Sequence, residues 1–223
     1  MSRRRPSIGV RFIDSFREAS KRGGSAVRSG YRTDASLRFA ALFLVLGISG
    51  SALANPAYDL GPAIGSKVPA IGTPQDEAGA PRSLESLAGE KGTVLFFFRS
   101  AAWCPYCQLQ LMDLNSGVAE LAKRGYGLAG ISYEPPAVDA EFIQKRGLKY
   151  PLLSDPKSEI IDRYRLRDPQ YKKGSRAYGV PQPAIFILDK GGVVKAKLYE
   201  DTYTKRPPIG LVIETIDRLG KAS

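Results

Sequence analysis

A chain of 223 residues with 43% hydrophobic and 25% charged side chains has the composition of a globular domain with something attached, and excludes a fibrous or disordered protein. The formal net charge of +11 is unevenly spread: residues 1–54 carry ten basic and three acidic groups, the other 169 carry 23 and 19. The excess therefore sits in a segment that reads as a leader, which removes most of the case for nucleic-acid binding, and the absence of His with only two Cys excludes structural zinc and any imidazole base.

Residues 1–54 read as a basic leader ending in a secretory signal peptide. An Arg- and Ser-rich opening is followed by an uncharged apolar core at 39–48, FAALFLVLGI, and by Ala52-Leu53-Ala54. The apolar run is too short for a spanning helix, so cleavage is expected after Ala54, with a membrane anchor as the alternative if the leader stays attached. The domain expected at 55–223 would then work in the periplasm or outside the cell, where disulfides persist.

Within that domain, 83–87 reads as one or two helical turns, because Ser83 and Ser86 do not make a full capping box. Residues 94–99 are apolar on both faces, as a central strand of a covered sheet requires. Pro105 favours the first turn of a helix whose apolar positions, from Leu109 to Ala122, carry it to about Lys123, weakened at Gly117. Asp113 and Glu120 are placed on that helix as surface charges. A second inner strand is expected at 128–132, stopped by Glu134-Pro135-Pro136, and a helix at 138–146 ends at Gly147. A short extended piece around 150–153 precedes a helix at 156–166 with Ile160, Ile161 and Tyr164 on one face. The polar, basic stretch 167–179 reads as a solvated loop, the sharper alternative being a patch for an anionic partner. Strands at 184–188 and 193–199 flank the tight turn Asp189-Lys190-Gly191-Gly192, and a helix over 204–219 closes the chain. The sum is an α/β domain built on a mixed sheet.

Both cysteines lie in Trp103-Cys104-Pro105-Tyr106-Cys107, directly after the central strand. Two inert core thiols would satisfy the spacing, but a redox pair fits it better. Cys104 at the helix start would meet unpaired backbone N–H groups and the positive end of the helix dipole, both favouring a thiolate. Cys107, facing inward from the first turn, would resolve the mixed disulfide. Pro105 fixes local φ, Tyr106 tunes the potential, and Trp103 forms a lip beside Cys104 or packs. These residues imply no metal and no cofactor.

Here the sequence resembles the thioredoxin-like superfamily, and within it the peroxiredoxin-like redoxins of the AhpC/TSA type. FFFRSAAWCPYCQLQL resembles the strand–CxxC–helix of thioredoxins. GLAGISYE, FIQKRGLKYPLLSD and YGVPQPAIFILDKGG resemble successive peroxiredoxin blocks, so the likeness covers about residues 62–220. It implies a thioredoxin-like fold, a central mixed β-sheet flanked by helices. It also implies a cis-proline opposite the CxxC, best matched by Gln182–Pro183, with Pro181 as the rival position. The chain departs from peroxiredoxins in the groups that polarise peroxide. Aligned by the strand, Cys107 falls on the peroxidatic position, Cys104 on the family's Thr, Ser100 on its Pro, and Pro183 where its Arg is expected.

Three functions compete. The first is an exported thiol–disulfide oxidoreductase with Cys104 attacking and Cys107 resolving. The second is a thiol peroxidase with antioxidant activity, Cys107 peroxidatic and Cys104 resolving. The third is a non-catalytic binding module with a permanent disulfide. Partners would be protein thiols and disulfides or a small-molecule peroxide, with a thiol electron donor and no nucleic acid. Loss of the peroxide-polarising groups favours the first.

Overall fold

The computed structural model describes residues 9–11, 59–200, 202 and 204–221; the predicted signal core and its cleavage point after Ala54 lie outside them. The strands are β1 (Gly9–Arg11), β2 (Gly92–Phe97), β3 (Tyr126–Ser132), β4 (Leu152–Ser154), β5 (Ala184–Asp189) and β6 (Val194–Tyr199). They form one mixed sheet in the order β1-β6-β5-β2-β3-β4. β2, β3 and β4 run parallel, whereas β5 is antiparallel to β2 and to β6. β1, drawn from the stretch read as leader, lies antiparallel along β6.

The unbroken apolar run of β2 has a direct cause: every residue of the strand is buried, because both faces of the sheet are covered. Val94, Phe96 and Phe98 point into a core shared with Leu111, Leu114, Phe142 and Val212. Leu95 and Phe97 point into the opposite core, with Ile161, Tyr164 and Phe186. The first core carries α2 (Pro105–Ser116), α4 (Pro136–Arg146) and α6 (Ile209–Lys221), and the second carries α5 (Glu159–Arg163). Where β3 passes β2 the chain needs Gly130, since a Cβ there would come within 2.6 Å of the Phe96 ring.

Several local expectations change. The helix expected to reach Lys123 stops at Ser116, and Val118–Lys123 forms a separate short helix, α3. Gly117 makes the break because Ile209, at the start of α6, packs where a Cβ would stand, 2.2 Å from Ile209 Cγ1. Asp113 and Glu120 thus belong to different helices. Asp113 is also more than a surface charge: its Oδ2 accepts the Ile209 N–H at 2.7 Å and caps α6. α1 (Leu84–Leu87) is one turn, as expected, yet it has a complete capping box, with the Ser86 hydroxyl in the role usually filled by Glu or Gln.

The helix expected over 156–166 shrinks to α5. Asp155 accepts the N–H groups of Ile160 and Ile161, which sets its start, and Ser158 and Arg165 adopt positive φ on either side. Ile160, Ile161 and Tyr164 are buried as expected. Gly147 ends α4 in the left-handed conformation at φ 65°, and Asp189 Oδ1 caps the hairpin turn by accepting from Gly191 and Val193. No cis peptide bond occurs among the described residues, so Gln182–Pro183 is trans, against expectation. The segment entering it is already held extended: Asp168 N–H donates to Val180 O and Gln182 N–H to Leu166 O. No helix among the described residues is long and apolar enough to cross a membrane.

Candidate active site

β2 and β3 are parallel, so their carboxyl ends lie side by side, the usual place for a site in an open α/β sheet. The chain leaves β2 through Phe98, Arg99 and Ser100 and enters α2 with Cys104 as N-cap and Pro105 at the first helical position. Pro105 suits that position because it lacks an N–H that would otherwise go unpaired. Cys104 and Cys107 form a disulfide, their Cα atoms 5.2 Å apart. The Cys107 N–H donates to Cys104 Sγ at 3.2 Å, and the N–H groups of Cys107 and Gln108 both donate to Cys104 O at 3.0 Å. A thiolate at Cys104 would therefore meet a backbone donor and the positive end of the 12-residue helix α2.

Cys107 faces the core as expected, but Cys104 is equally inaccessible, both at 0% exposure. Attack at either sulfur requires the residues that cover it to move. Pro105 is exposed, and Trp103 and Tyr106 are half-buried. Trp103 is fixed from the far side: its Nε1–H donates to Tyr133 Oη at 3.1 Å, and the Tyr133 hydroxyl donates to Arg176 O at 3.2 Å. Pro183 stands at the same end of the sheet, because Ala184 pairs with Phe97, the last residue of β2. The fold thus brings Trp103, Cys104, Pro105, Tyr106 and Cys107 together on one junction, with Pro183 on the neighbouring strand's entry.

Two polar networks beneath the junction escape a reading of spacing alone. Ser100, fully buried, donates to Glu134 Oε1 in a short hydrogen bond, and its oxygen accepts the N–H groups of Ala102 (3.0 Å) and Trp103 (3.2 Å). Glu134 N–H in turn donates to Ser132 Oγ. Glu134 thus holds, through one hydroxyl, the loop that delivers Cys104. A carboxylate two residues past the end of an inner parallel strand was the available signal for it.

The second network is the ion pair Arg99–Asp168, 2.7 Å long, with side-chain exposures of 5% and 6%. Arg99 also lies 5.6 Å from the centre of the Tyr171 ring. Arg99 accordingly points to the 167–179 loop, and that loop is not merely solvated: its first acidic residue is buried. Nearby Asp139, on α4, is fully buried, and neither of its carboxylate oxygens has a hydrogen-bond partner. Burial first, then repulsion from Glu134 and Glu77, pushes its pKa up to about 8; Ser132, close by but outside hydrogen-bonding geometry, pulls weakly the other way.

The model of the AhpC/TSA family matches residues 64–197. A Mycobacterium tuberculosis protein that carries a peroxiredoxin name is 30% identical over 135 residues, 60% of this chain and 83% of the relative. The thiol-disulfide oxidoreductase ResA of Geobacillus thermodenitrificans is 28% identical over 145 residues, 64% of this chain and 72% of the relative. Among solved structures, the peroxidoxin BcpB of Mycobacterium tuberculosis superposes with a TM-score of 0.60 at 23% identity, over 74% of this chain and 99% of that one, and so matches the fold.

Proposed function

We propose, from the premise that this chain belongs to the AhpC/TSA family, that it exchanges thiols and disulfides through Cys104 and Cys107 outside the cytosol. That it is an oxidoreductase, a thiol-dependent redoxin, follows from the family and from the relatives named above. The finer reading concerns which sulfur attacks and which substrate is met.

One observation carries it. The Cys107 N–H aims at Cys104 Sγ from the first turn of α2, so the fold stabilises negative charge on Cys104. In the reducing direction the Cys104 thiolate attacks one sulfur of a substrate disulfide and expels the other as a thiolate. Cys107 then gives up its proton and attacks Cys104 Sγ, which releases the second substrate thiolate. Two electrons have moved to the substrate, and the protein is left as the Cys104–Cys107 disulfide. A thiol donor restores the dithiol, and the reverse sequence oxidises a substrate. Trp103, Pro105, Tyr106 and Pro183 shape the surface that the substrate meets. Residues 1–54, with their basic opening, apolar core and Ala52-Leu53-Ala54, support export.

The second reading, peroxide reduction at Cys107, is favoured by the peroxiredoxin-named relatives. Against it, Arg99, whose charge could otherwise stand in for the family's Arg, is engaged by Asp168, and Pro183 stands where that Arg is expected. Purified Cys104→Ser and Cys107→Ser proteins separate the two. Stable mixed-disulfide trapping by Cys107→Ser, with negligible peroxide loss by the wild type, is the expected result. Rapid peroxide loss that survives Cys104→Ser but not Cys107→Ser would overturn it. Fractionation of expressing cells, with recovery of a chain starting at Asn55 from the extracytoplasmic fraction, checks the location.

A further inference from the structure

From Ser100 to Met112 the chain around the disulfide carries no charged residue. The loop 167–178 is rich in charge, and three contacts tie it to the junction. Asp168 pairs with Arg99, one residue before Ser100. Tyr171 lies against the same guanidinium. Arg176 O accepts from Tyr133, whose oxygen accepts from Trp103, so Arg176 is two hydrogen bonds from the residue preceding Cys104. Its positive charge is also close enough to favour the Tyr133 phenolate, against the stronger upward effect of burial. Between these anchors the backbone is pinned by turns, with Ser175 N–H donating to Lys172 O and Tyr178 N–H to Ser175 O, both at 3.0 Å.

The anchors leave the cations outside. Lys172, Lys173 and Arg176 are exposed, and among the described residues no carboxylate lies within ion-pair distance of them. Arg167, by contrast, is neutralised by Asp162 through two hydrogen bonds. A solvated loop needs neither a buried ion pair nor a hydrogen-bonded link to the only tryptophan of the chain. This one is tied to the redox junction and carries three cations that no carboxylate among the described residues pairs.

We propose that Lys172, Lys173 and Arg176 form a docking surface that steers polypeptides with acidic residues around their cysteines onto the Cys104–Cys107 pair. The inference rests on the exchange reading above, and it names the substrate class. Unopposed charge beside a reactive centre raises the encounter rate of oppositely charged partners by about tenfold or more at low salt. The advantage collapses once the Debye length falls below about 10 Å.

Three synthetic peptides test it, each closed by one internal disulfide and identical except for Asp-Asp, Asn-Asn or Lys-Lys beside a cysteine. Each is mixed with the reduced protein, and Trp103 fluorescence, a single-tryptophan signal next to the disulfide, reports oxidation. The expected order is Asp-Asp fastest, about tenfold above Asn-Asn at low salt, with Lys-Lys slowest and the differences largely gone at 0.5 M salt. The triple variant Lys172→Ser, Lys173→Ser, Arg176→Ser should lose the preference and keep its Asn-Asn rate within about twofold. Equal rates for the Asp-Asp and Asn-Asn peptides, or a preference that survives in the triple variant, would overturn the docking surface alone. Failure of the wild type to react with the Asn-Asn peptide would overturn the exchange reading, and the docking surface with it.

Discussion

Replacing Asp139 by Asn should flatten the dependence of stability on pH, because this carboxyl is buried, without hydrogen bonds, and titrates near pH 8 in the fold against 3.8 ordinarily. Its folded-state pKa is raised, so the protonated form suits the fold. The contribution is complete below about pH 4 and is lost as the pH rises through about 8. From the tenfold change per pH step, the cost is about 2 kcal/mol at pH 5 and about 6 kcal/mol at pH 9. The wild type should therefore lose about 4 kcal/mol across that span from this group. With a urea slope of about 2 kcal/mol/M, its midpoint should fall by about 2 M. The Asn variant carries an amide whose unmet hydrogen bonds cost about 1–3 kcal/mol at every pH. The two proteins should then have similar stability at pH 5, with the variant clearly better at pH 9. Urea unfolding followed by far-UV circular dichroism at pH 5, 7 and 9 reads this directly. Parallel curves for the two proteins would refute the assignment of a strained carboxyl to Asp139.

Asp168→Asn leaves the buried Arg99 guanidinium without its carboxylate and should cost about 3–5 kcal/mol in urea unfolding at neutral pH; a loss below about 1 kcal/mol would show that the pair is not buried in solution. The double change Arg99→Met with Asp168→Leu should recover most of that loss, since an apolar pair of similar volume needs no desolvated charge. Ser100→Ala removes the acceptor of two loop amides, and hydrogen exchange at Ala102 and Trp103 should accelerate by about ten- to a hundredfold while Phe96 in β2 is unchanged. Unaltered exchange at both loop amides would mean that Glu134 and Ser100 do not hold the redox loop.

What could be read along the chain was what neighbouring residues settle among themselves. The apolar run of β2 announces a strand covered on both faces, Pro105 a helix start, Gly147 a left-handed helix end, and Asp189 a capped hairpin turn, each through contacts within a few residues. The cysteine spacing and its place after β2 likewise point to a redox pair at a strand–helix junction. Gly117 was legible only as a weak point, because the side chain that requires it, Ile209, comes 92 positions later.

The support of the site was decided by the tertiary structure. Ser100 and Glu134 are 34 residues apart, Arg99 and Asp168 69, and Tyr133 and Arg176 43. No periodicity joins such pairs. They meet because parallel β2 and β3 end at the same edge of the sheet, and because one loop, held by Asp168, folds back over that edge. The same packing buries both sulfurs and takes from Asp139 the water that would have kept it ionised. The sequence by itself determined the chemistry, a vicinal dithiol at a strand–helix junction. Only the three-dimensional fold determined what grips that junction, and which charges stand beside it, since both arise from side chains that meet across the sheet edge and not along the chain.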